Sequence, residues 1–329
     1  MSVKSNRYIS VFIPTYNGEK YIAESIDSIL SQDLPLGYGL ELIIIDSGSK
    51  DKTVSIIKKH YLNKLTFIEI PNSEYGHGKT RQKAAELAKG EFILFLSQDA
   101  TPATKRWLIN MIEPFFVSDK VGCVFGRQIP RTDAVPTIKR EVATVFGQLG
   151  APDSITLHRE KSLVDGVKMN TLNTFFSDVN SAIKKEYVKT IPFRDLKYSE
   201  DQALAEDMQN AGFLKAYSVQ GSVFHSNEYT IKEFYSRKFD EYIGLQESVK
   251  YKISPSLKKL LLGWIRPTLS DWNWIKRDGD YSKKRKIKYA ALSIGYNIAS
   301  VRGRNDAAKY INNPTKRHEI SLEEQRKIS

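Results

Sequence analysis

Two acidic motifs about a hundred residues apart are the positions at which this sequence could do chemistry. Asp99 follows the apolar run Phe92–Leu96, so we expect it at the carboxyl end of a buried strand. A carboxylate there can hold Mg²⁺ or Mn²⁺, which favour oxygen ligands and bridge diphosphates. The second motif is Glu200-Asp201, and a carboxylate in the same cleft can accept a proton from a hydroxyl. A diphosphate-activated donor and a hydroxyl acceptor require these two functions.

The elements that must position these carboxylates alternate between strand and helix patterns. Predicted strands cover Tyr8–Ile13, Leu40–Ile45, Leu65–Ile70 and Glu91–Leu96, and predicted helices cover Glu19–Ser31, Asp51–His60 and Lys79–Lys89. This alternation favours right-handed βαβ units on a mostly parallel sheet, which makes the fold class α/β. Ligands bind at the carboxyl ends of such strands, and the polar residues of this region concentrate there.

The pattern is less regular beyond residue 120. We expect strands at Val121–Phe125 and Ala216–His225, and helices at Ile138–Leu149 and Gln202–Ala211. The last hundred residues read as helices.

Composition restricts the class of protein. The chain has 329 residues, of which 41% are hydrophobic, so it can bury a core. Cys123 is its single cysteine and cannot form an intrachain disulfide, which fits a reducing compartment. Residues 1–30 show no secretory signal, and no stretch reaches the roughly 18 apolar residues of a membrane span. We therefore expect a soluble or peripheral cytosolic protein.

Basic charge is concentrated at the C-terminal end. The last 79 residues carry 18 Lys and Arg against 7 Asp and Glu, which is +11 of the net +12. Leu257–Arg266 mixes apolar and basic residues, and Lys283–Lys288 is almost wholly basic. Three of the four tryptophans lie in the same segment: Trp264, Trp272 and Trp274. This composition favours an anionic membrane surface as partner. A helical bundle packed on the rest of the chain, or a homodimer contact, is the alternative, and nucleic acid is not expected because no recognition motif accompanies the charge.

Each motif taken alone also has a purely structural interpretation. Asp46 lies in a Gly-containing loop and could simply close a turn before a helix cap. Asp99 could form an Asx turn, Asp201 could cap a helix, and His225 could be a structural histidine after a strand.

The segment Ser73–Thr80 is not an NTPase P-loop, because Ser73 stands where such a loop requires glycine. Its glycines still allow close backbone approach to a ligand. Lys79 and Arg81 could meet phosphate at the N-terminus of the following helix, or belong to a solvated first turn.

In combination, the order and spacing of these motifs resemble the family 2 inverting glycosyltransferases of the GT-A (Rossmann-like) fold. The resemblance covers about residues 8–230 and rests on five segments: Val11–Gly18, Asp46–Asp51, Gly78–Gln82, Glu91–Asp99 and Ser199–Leu204. It implies a GT-A domain at 1–230, with a donor half at about 1–125 and an acceptor half at about 126–230. The remaining 231–329 would be a helical basic extension for membrane association or oligomerisation.

The resemblance also assigns roles to individual residues. It implies Asp201 as general base and Glu200 as a residue that orients substrate. It implies Asp99 and His225 as ligands of Mn²⁺ or Mg²⁺, and Asp178 and Asn180 as acceptor contacts. The nucleotide-sugar donor would be bound by a larger set: Pro14, Thr15, Tyr16, Asp46, Lys79, Arg81, Ser97 and Gln98.

One departure from the family pattern narrows the expected donor. Ser97 stands where the family's Asp-x-Asp motif has its first acid, so Asp99 alone keeps the metal role and the ribose contact is in doubt. The surrounding sequence looks like the rhamnosyltransferase branch, which uses dTDP-L-rhamnose to build bacterial polysaccharides. This implies a lipid-linked glycan acceptor and a cytoplasmic location on the inner face of the bacterial cell membrane. Another UDP- or dTDP-sugar, or a catalytically weak basic binding protein on the same fold, is the alternative.

Overall fold

The apolar runs of the N-terminal half form four parallel strands separated by helices. The computed structural model describes residues 7–159, 163–164, 167–168, 175–279 and 281–326. The first elements are β1 Arg7–Thr15, α1 Ile22–Leu30, β2 Tyr38–Asp46, α2 Thr53–His60, β3 Thr66–Glu69, α3 His77–Leu87 and β4 Phe92–Leu96. Every side chain of β4 is buried, as an unbroken apolar run in a parallel sheet requires.

Shorter elements follow in the middle of the chain. They are β5 Thr101–Pro102, α4 Trp107–Ile112, α5 Pro114–Val117, β6 Val121–Ile129, α6 Pro136–Gly147, β7 Ile155–His158, β8 Leu163–Val164, β9 Val167–Lys168, β10 Asn180–Lys184, α7 Glu200–Asn210 and β11 Leu214–Phe224. The helices α3 and α7 each begin two residues earlier than the sequence predicts, which places His77 and Glu200 inside a helical turn.

The main sheet has the strand order β3-β2-β1-β4-β10-β6-β11-β5, and β7 also pairs with β11. β1 pairs in parallel with β2 and β4, and β6 pairs in parallel with β11. β10 lies between β4 and β6 and is antiparallel to both. The fold is therefore α/β in class. Its main sheet is parallel in the N-terminal half of the chain and mixed in the remainder. The carboxyl ends of β1, β2, β4, β6 and β11 meet the amino end of β10 at one edge.

Buried aromatic residues pack in the core around the main sheet, and close packing requires a glycine at one position. Phe12 and Phe95 meet edge to face with ring centroids 6.2 Å apart, and both are fully buried. Trp107 on α4 is also fully buried. Gly78 on α3 is required by packing, because a Cβ there would collide with the carbonyl oxygen of Arg194. This close approach brings α3 against the segment that leads into α7.

The chain divides into two compact units. The first is formed by 1–129, 146–162 and 170–225 and contains the main sheet, and the second is formed by 130–145, 163–169 and 226–329. The helices of the second unit after residue 226 are α8 Ile231–Val249, α9 Leu257–Leu262, α10 Ile265–Arg277, α11 Lys283–Tyr310, α12 Pro314–Ile320 and α13 Leu322–Arg326.

A buried carboxylate joins three helices of the second unit. Asp271 on α10 is fully buried and accepts hydrogen bonds from Thr137 Oγ1 on α6 at 2.9 Å and from Asn297 Nδ2 on α11 at 2.6 Å. It also pairs with Arg140 on α6. Because the carboxylate is paired and hydrogen-bonded, its burial is tolerated and it fixes the face that α10 turns inward.

Candidate active site

The acidic residues singled out from the sequence collect at the polar edge of the main sheet. Asp99 follows β4 and His225 follows β11. Asp178 precedes β10, which runs in the opposite direction and so reaches the same edge. The Ser97 N–H donates to the carbonyl of Val179 at 3.1 Å, which ties the loop after β4 to the residues before β10.

A buried guanidinium holds two carboxylates together at this edge. Arg81 Nη1 lies 2.8 Å from Glu200 Oε1, and Arg81 Nε lies 2.9 Å from Asp178 Oδ2. The second contact is an ion pair without hydrogen-bond alignment. All three side chains are less than a tenth exposed. In this structure the charge of Arg81 is engaged by the two carboxylates, and its predicted contact with a diphosphate stays a prediction.

Asp201 lies next to this ion triad in the first turn of α7. Its Oδ2 accepts the backbone N–H of Asp178 at 3.2 Å, its Oδ1 accepts the N–H of Gln202 at 2.7 Å, and the side chain is partly exposed. Burial, and then the negative charges of Glu200 and Asp178, raise the pKa of Asp201 to about 8. A carboxylate with a raised pKa is suited to accept a proton near neutral pH. The geometry therefore allows Asp201 to act as a base.

His77 also belongs to this cluster, although the sequence reasoning gave it no role. Its Nδ1 lies 3.1 Å from the Tyr75 hydroxyl and 3.9 Å from Glu200 Oε1. Its ring meets the rings of Tyr75 and Tyr198 edge to face, with centroids 5.2 Å and 6.5 Å apart. The Gly-His-Gly motif was the signal that could have identified it. The partly exposed rings of Tyr75, His77 and Tyr198 thus lie beside the carboxylates.

Asp99 and His225 form a pair that suits a divalent cation. His225 Nε2 lies 3.5 Å from Asp99 Oδ2, and His225 Nδ1 lies 3.0 Å from Gln128 Oε1. The Gln128 amide donates through its own Nε2 to the Ser177 hydroxyl at 3.1 Å, so its Oε1 accepts a hydrogen bond from His225 Nδ1–H. The lone pair of His225 Nε2 then faces the Asp99 carboxylate. An imidazole nitrogen and a carboxylate oxygen that face each other are suitable ligands for Mn²⁺.

Across the part of the chain that the structure describes, no group of three or more His, Cys, Asp or Glu could hold a metal ion. A cation held by Asp99 and His225 would need its remaining ligands from elsewhere, such as a bound diphosphate or water. Gln128, which sets the ring orientation of His225, was missed because nothing in the sequence connects two positions so far apart.

The loop after β2 is organised by Asp46, which is buried. Its Oδ1 accepts the backbone N–H groups of Gly48 at 3.0 Å and Ser49 at 2.9 Å. Its Oδ2 accepts the hydroxyls of Thr15 at 3.0 Å and Ser49 at 2.6 Å. These four bonds use the acceptor capacity of the carboxylate. The side chains of Asp46 and Thr15 close the loop in this structure, and their predicted contact with the nucleotide-sugar donor stays a prediction.

Gln98 has a similar role between the loops after β1 and β4. Its Oε1 accepts the Tyr16 N–H at 2.9 Å, and its Nε2 donates to the Tyr16 carbonyl at 3.0 Å. Both ends of the Gln98 amide hold the Tyr16 backbone, and its predicted donor contact stays a prediction. Pro14, Tyr16 and Ser97 stay partly exposed, and Lys79 is exposed in the first turn of α3.

The two residues predicted to contact the acceptor are both buried. Asn180 is fully buried, accepts from Trp107 Nε1 at 2.9 Å and donates to the Gly221 carbonyl at 2.6 Å. Asp178 is bonded to Ser181 Oγ at 2.5 Å in addition to its pairing with Arg81. In this structure the two side chains support the sheet edge and the ion triad, and their predicted acceptor contacts stay predictions.

Comparison with known protein families identifies the family of this chain. Residues 10–191 match the family model described as "Glycosyl transferase family 2". The chain belongs to this family. It is 32% identical over 236 residues to the O-antigen chain rhamnosyltransferase RfbN of Salmonella typhimurium, covering 70% of each chain. It is 34% identical over 205 residues to the O-antigen chain rhamnosyltransferase WbaN of Salmonella anatum, covering 61% of each. This confirms the predicted family and makes the chain a glycosyltransferase.

Solved structures confirm the GT-A fold of this glycosyltransferase. The mannosyltransferase PcManGT from Pyrobaculum calidifontis, in complex with GDP-Man and Mn²⁺, matches with a TM-score of 0.59 at 17% identity, over 94% of this chain and 87% of that one. Glucosyl-3-phosphoglycerate synthase from Mycobacterium tuberculosis, in complex with Mn²⁺, UDP-glucose and glycerol 3-phosphate, matches with a TM-score of 0.51 at 18% identity, over 76% and 83%. Among the residues described for this transferase, no helix combines the length and apolarity needed to cross a bilayer.

Proposed function

We propose that this family 2 glycosyltransferase transfers L-rhamnose from dTDP-β-L-rhamnose to a hydroxyl of a lipid-linked glycan, with inversion at the anomeric carbon. The observation that carries the proposal is the position of Asp201, a partly exposed carboxylate with a raised pKa beside the Arg81 ion triad. Inversion needs one base on the acceptor side and a stabilised leaving group on the other. Asp201 is the proposed base on the acceptor side. The Asp99–His225 pair is the proposed site of the cation that stabilises the leaving group.

The proposed reaction is a single displacement. The acceptor hydroxyl gives its proton to a carboxylate oxygen of Asp201 while its oxygen forms a bond to the anomeric carbon. The bond from that carbon to the dTDP oxygen breaks, and the electron pair leaves with dTDP. Glu200, held by Arg81 at 2.8 Å, lies beside Asp201 and raises the pKa of the Asp201 carboxyl, which favours proton uptake by the base. A β-L-rhamnosyl donor then gives an α-L-rhamnoside.

The proposed leaving-group site is the Asp99–His225 pair. Bound Mn²⁺ or Mg²⁺ would neutralise charge on the diphosphate oxygens as the bond breaks. Gln128 holds the His225 ring, and Lys79 adds an exposed positive charge in the first turn of α3. Pro14 and Tyr16 are the proposed nucleobase contacts, since both stay partly exposed at the same sheet edge.

Support for rhamnose comes from relatives and from sequence. RfbN and WbaN are both O-antigen chain rhamnosyltransferases, and Ser97 replaces the first acid of the family's metal motif as in the rhamnosyl branch. The donor half is proposed at about 1–125 and the acceptor half at about 126–230. A lipid-linked acceptor places the reaction at the cytoplasmic face of the membrane, with the basic region 231–329 as the membrane-associating segment.

A donor screen tests this proposal. Purified protein is mixed with Mn²⁺, a panel of soluble glycoside acceptors and one donor at a time: dTDP-rhamnose, dTDP-glucose, UDP-glucose or UDP-GlcNAc. Release of nucleoside diphosphate and the mass of the product are measured. We expect rhamnosyl product from dTDP-rhamnose, and none from Asp201→Asn, while Glu206→Gln on the same helix serves as the matched control and stays active.

Other results would favour the alternatives. Transfer from a UDP-sugar but not from dTDP-rhamnose would contradict the rhamnosyl assignment and keep the transferase. Binding of donors without any release would support a basic binding protein on this fold.

A further inference from the structure

An exposed apolar stripe runs along α9 and α10 in the second unit. On α9 the outward leucines are Leu257, Leu261 and Leu262, with exposed fractions of 71%, 60% and 56%. On α10 the stripe continues with Ile265 and Leu269, which are four residues apart and therefore on one helix face. Side chains of this size and exposure, lying next to one another, mark an interaction surface rather than isolated apolar residues.

The stripe is not the core-facing side of its helix. The buried residues of α10 are Thr268, Asp271 and Ile275, which share a different face. Asp271 fixes that face against the neighbouring helices through its bonds to Thr137 and Asn297. α10 therefore has one mixed face that is used inside the unit and an apolar face that is turned outward.

Exposed basic residues surround the stripe. On the two helices they are Lys258, Lys259, Arg266, Lys276 and Arg277. The first turns of α11 add Lys283, Lys284, Arg285 and Lys288. The end of α10 and the start of α11 lie close together, because Lys286 Nζ donates to the Lys276 carbonyl at 3.1 Å.

Negative charge is nearly absent from the described part of this surface. Between residues 250 and 290, the described carboxylates are those of Asp271, which is buried, and Asp278, whose Oδ2 lies 3.6 Å from Lys139 Nζ. The sequence adds Asp280, which lies outside the described residues. The face is thus apolar along its centre and positive around it.

We propose that this face, α9 and α10 with the first turns of α11, docks on a bilayer that contains anionic phospholipid. The leucines and Ile265 would enter the boundary between headgroups and acyl chains, and the lysines and arginines would contact lipid phosphates. The inference deepens the proposed membrane association and does not depend on which sugar is transferred.

The tryptophans of this surface also make contacts within the protein. The sequence pointed to tryptophans, but Trp264 Nε1 donates to the Leu261 carbonyl and Trp272 Nε1 donates to the Ala290 carbonyl, both at 2.9 Å. Trp274 lines a cavity with Arg140 and other residues. Trp272 and Trp274 are nevertheless 37% exposed, close to the 39% of Ile265, so they add to the apolar surface of the leucines.

The positive charge of this face, together with its apolar centre, favours an anionic bilayer over the other possible binding partners. A second copy of the chain would bring the same basic residues face to face around a self-complementary contact, and like charges oppose that association. A nucleic acid would satisfy the positive charge but would leave the leucines uncovered. An anionic bilayer satisfies both the apolar centre and the basic surroundings.

Vesicle sedimentation with the full chain tests this inference. The vesicles are phosphatidylcholine alone or phosphatidylcholine with about one-third phosphatidylglycerol. We expect binding to the anionic vesicles that weakens strongly when salt is raised to about 0.5 M. Leu261→Ser with Leu262→Ser should bind at least tenfold more weakly at low salt. Lys258→Gln and Lys259→Gln should each weaken binding about fivefold.

The matched control is Leu36→Ser with Leu62→Ser, which removes two exposed leucines from the first unit and should bind as the wild type does. Circular dichroism and donor hydrolysis show that each variant is folded and that transferase activity is a separate property. Absence of binding to anionic vesicles at low salt would overturn the proposal. Equal binding by the Leu261/Leu262 variant would also overturn it, as would self-association without lipid that this variant abolishes.

Discussion

Replacing Arg81 by methionine removes the positive charge that lies between Asp178 and Glu200. The two carboxylates are 1% and 6% exposed, so neither can regain full hydration when its partner is lost. Removing one member of a buried ion pair costs about 3–5 kcal/mol of unfolding free energy, and here two carboxylates lose the same partner. We expect a loss at the upper end of this range at pH 8.

The loss should depend on pH, because Asp178 can become neutral. Burial raises the pKa of Asp178 to about 6, although Arg81 lowers it. A carboxyl whose folded pKa exceeds its unfolded value of about 3.9 stabilises less as pH rises. Without Arg81 the folded pKa moves further up, so the variant is penalised more at pH 8 than at pH 5.

Urea unfolding followed by circular dichroism at both pH values measures this difference. Arg7→Met is the matched control, since Arg7 pairs with Glu91 at the surface and its loss should leave the unfolding midpoint unchanged. Adding Asp178→Asn to the Arg81→Met variant should restore part of the stability. A loss below about 1 kcal/mol, or an equal loss at pH 5 and pH 8, would refute the ion-triad reasoning.

Three further predictions concern the site. Gly78→Ala should lower both the melting temperature and the transfer rate, because its Cβ would collide with the Arg194 carbonyl, whereas Gly147→Ala meets open space and should do neither. kcat/KM should fall as pH drops below about 8, because a protonated Asp201 cannot accept the acceptor proton; a flat profile from about pH 6 to 9 would contradict its role as base. Asp99→Asn should weaken Mn²⁺ binding in the presence of dTDP, measured by calorimetry, and an unchanged affinity would exclude Asp99 as a ligand.

The sequence predicted the N-terminal half of the fold closely because its signals are local. Buried parallel strands are unbroken apolar runs, and Tyr8–Ile13 and Glu91–Leu96 correspond to β1 and β4 to within two residues at each end. The polar ends of those strands also indicated which edge of the sheet carries the site. Periodicity cannot show that β10 enters the sheet antiparallel between β4 and β6, since that depends on long-range pairing.

The candidate site was predicted in outline, but the partners of its residues were not. The motif around Arg81 indicates a cation near a ligand, yet its two carboxylate partners lie far away in the chain. Asp46 is a second example. Its position after β2 predicts a ligand contact, but the sequence could not show its four hydrogen bonds within the protein, which depend on the geometry of two loops.

The anomeric configuration of the product tests the central claim most directly. Wild-type protein is incubated with dTDP-β-L-rhamnose, Mn²⁺ and an acceptor glycoside selected in the donor screen, and the new linkage is examined by NMR. A single displacement with Asp201 as base predicts an α-L-rhamnoside from the wild type and no product from Asp201→Asn. A β-L-rhamnoside, or undiminished transfer by Asp201→Asn, would contradict the account.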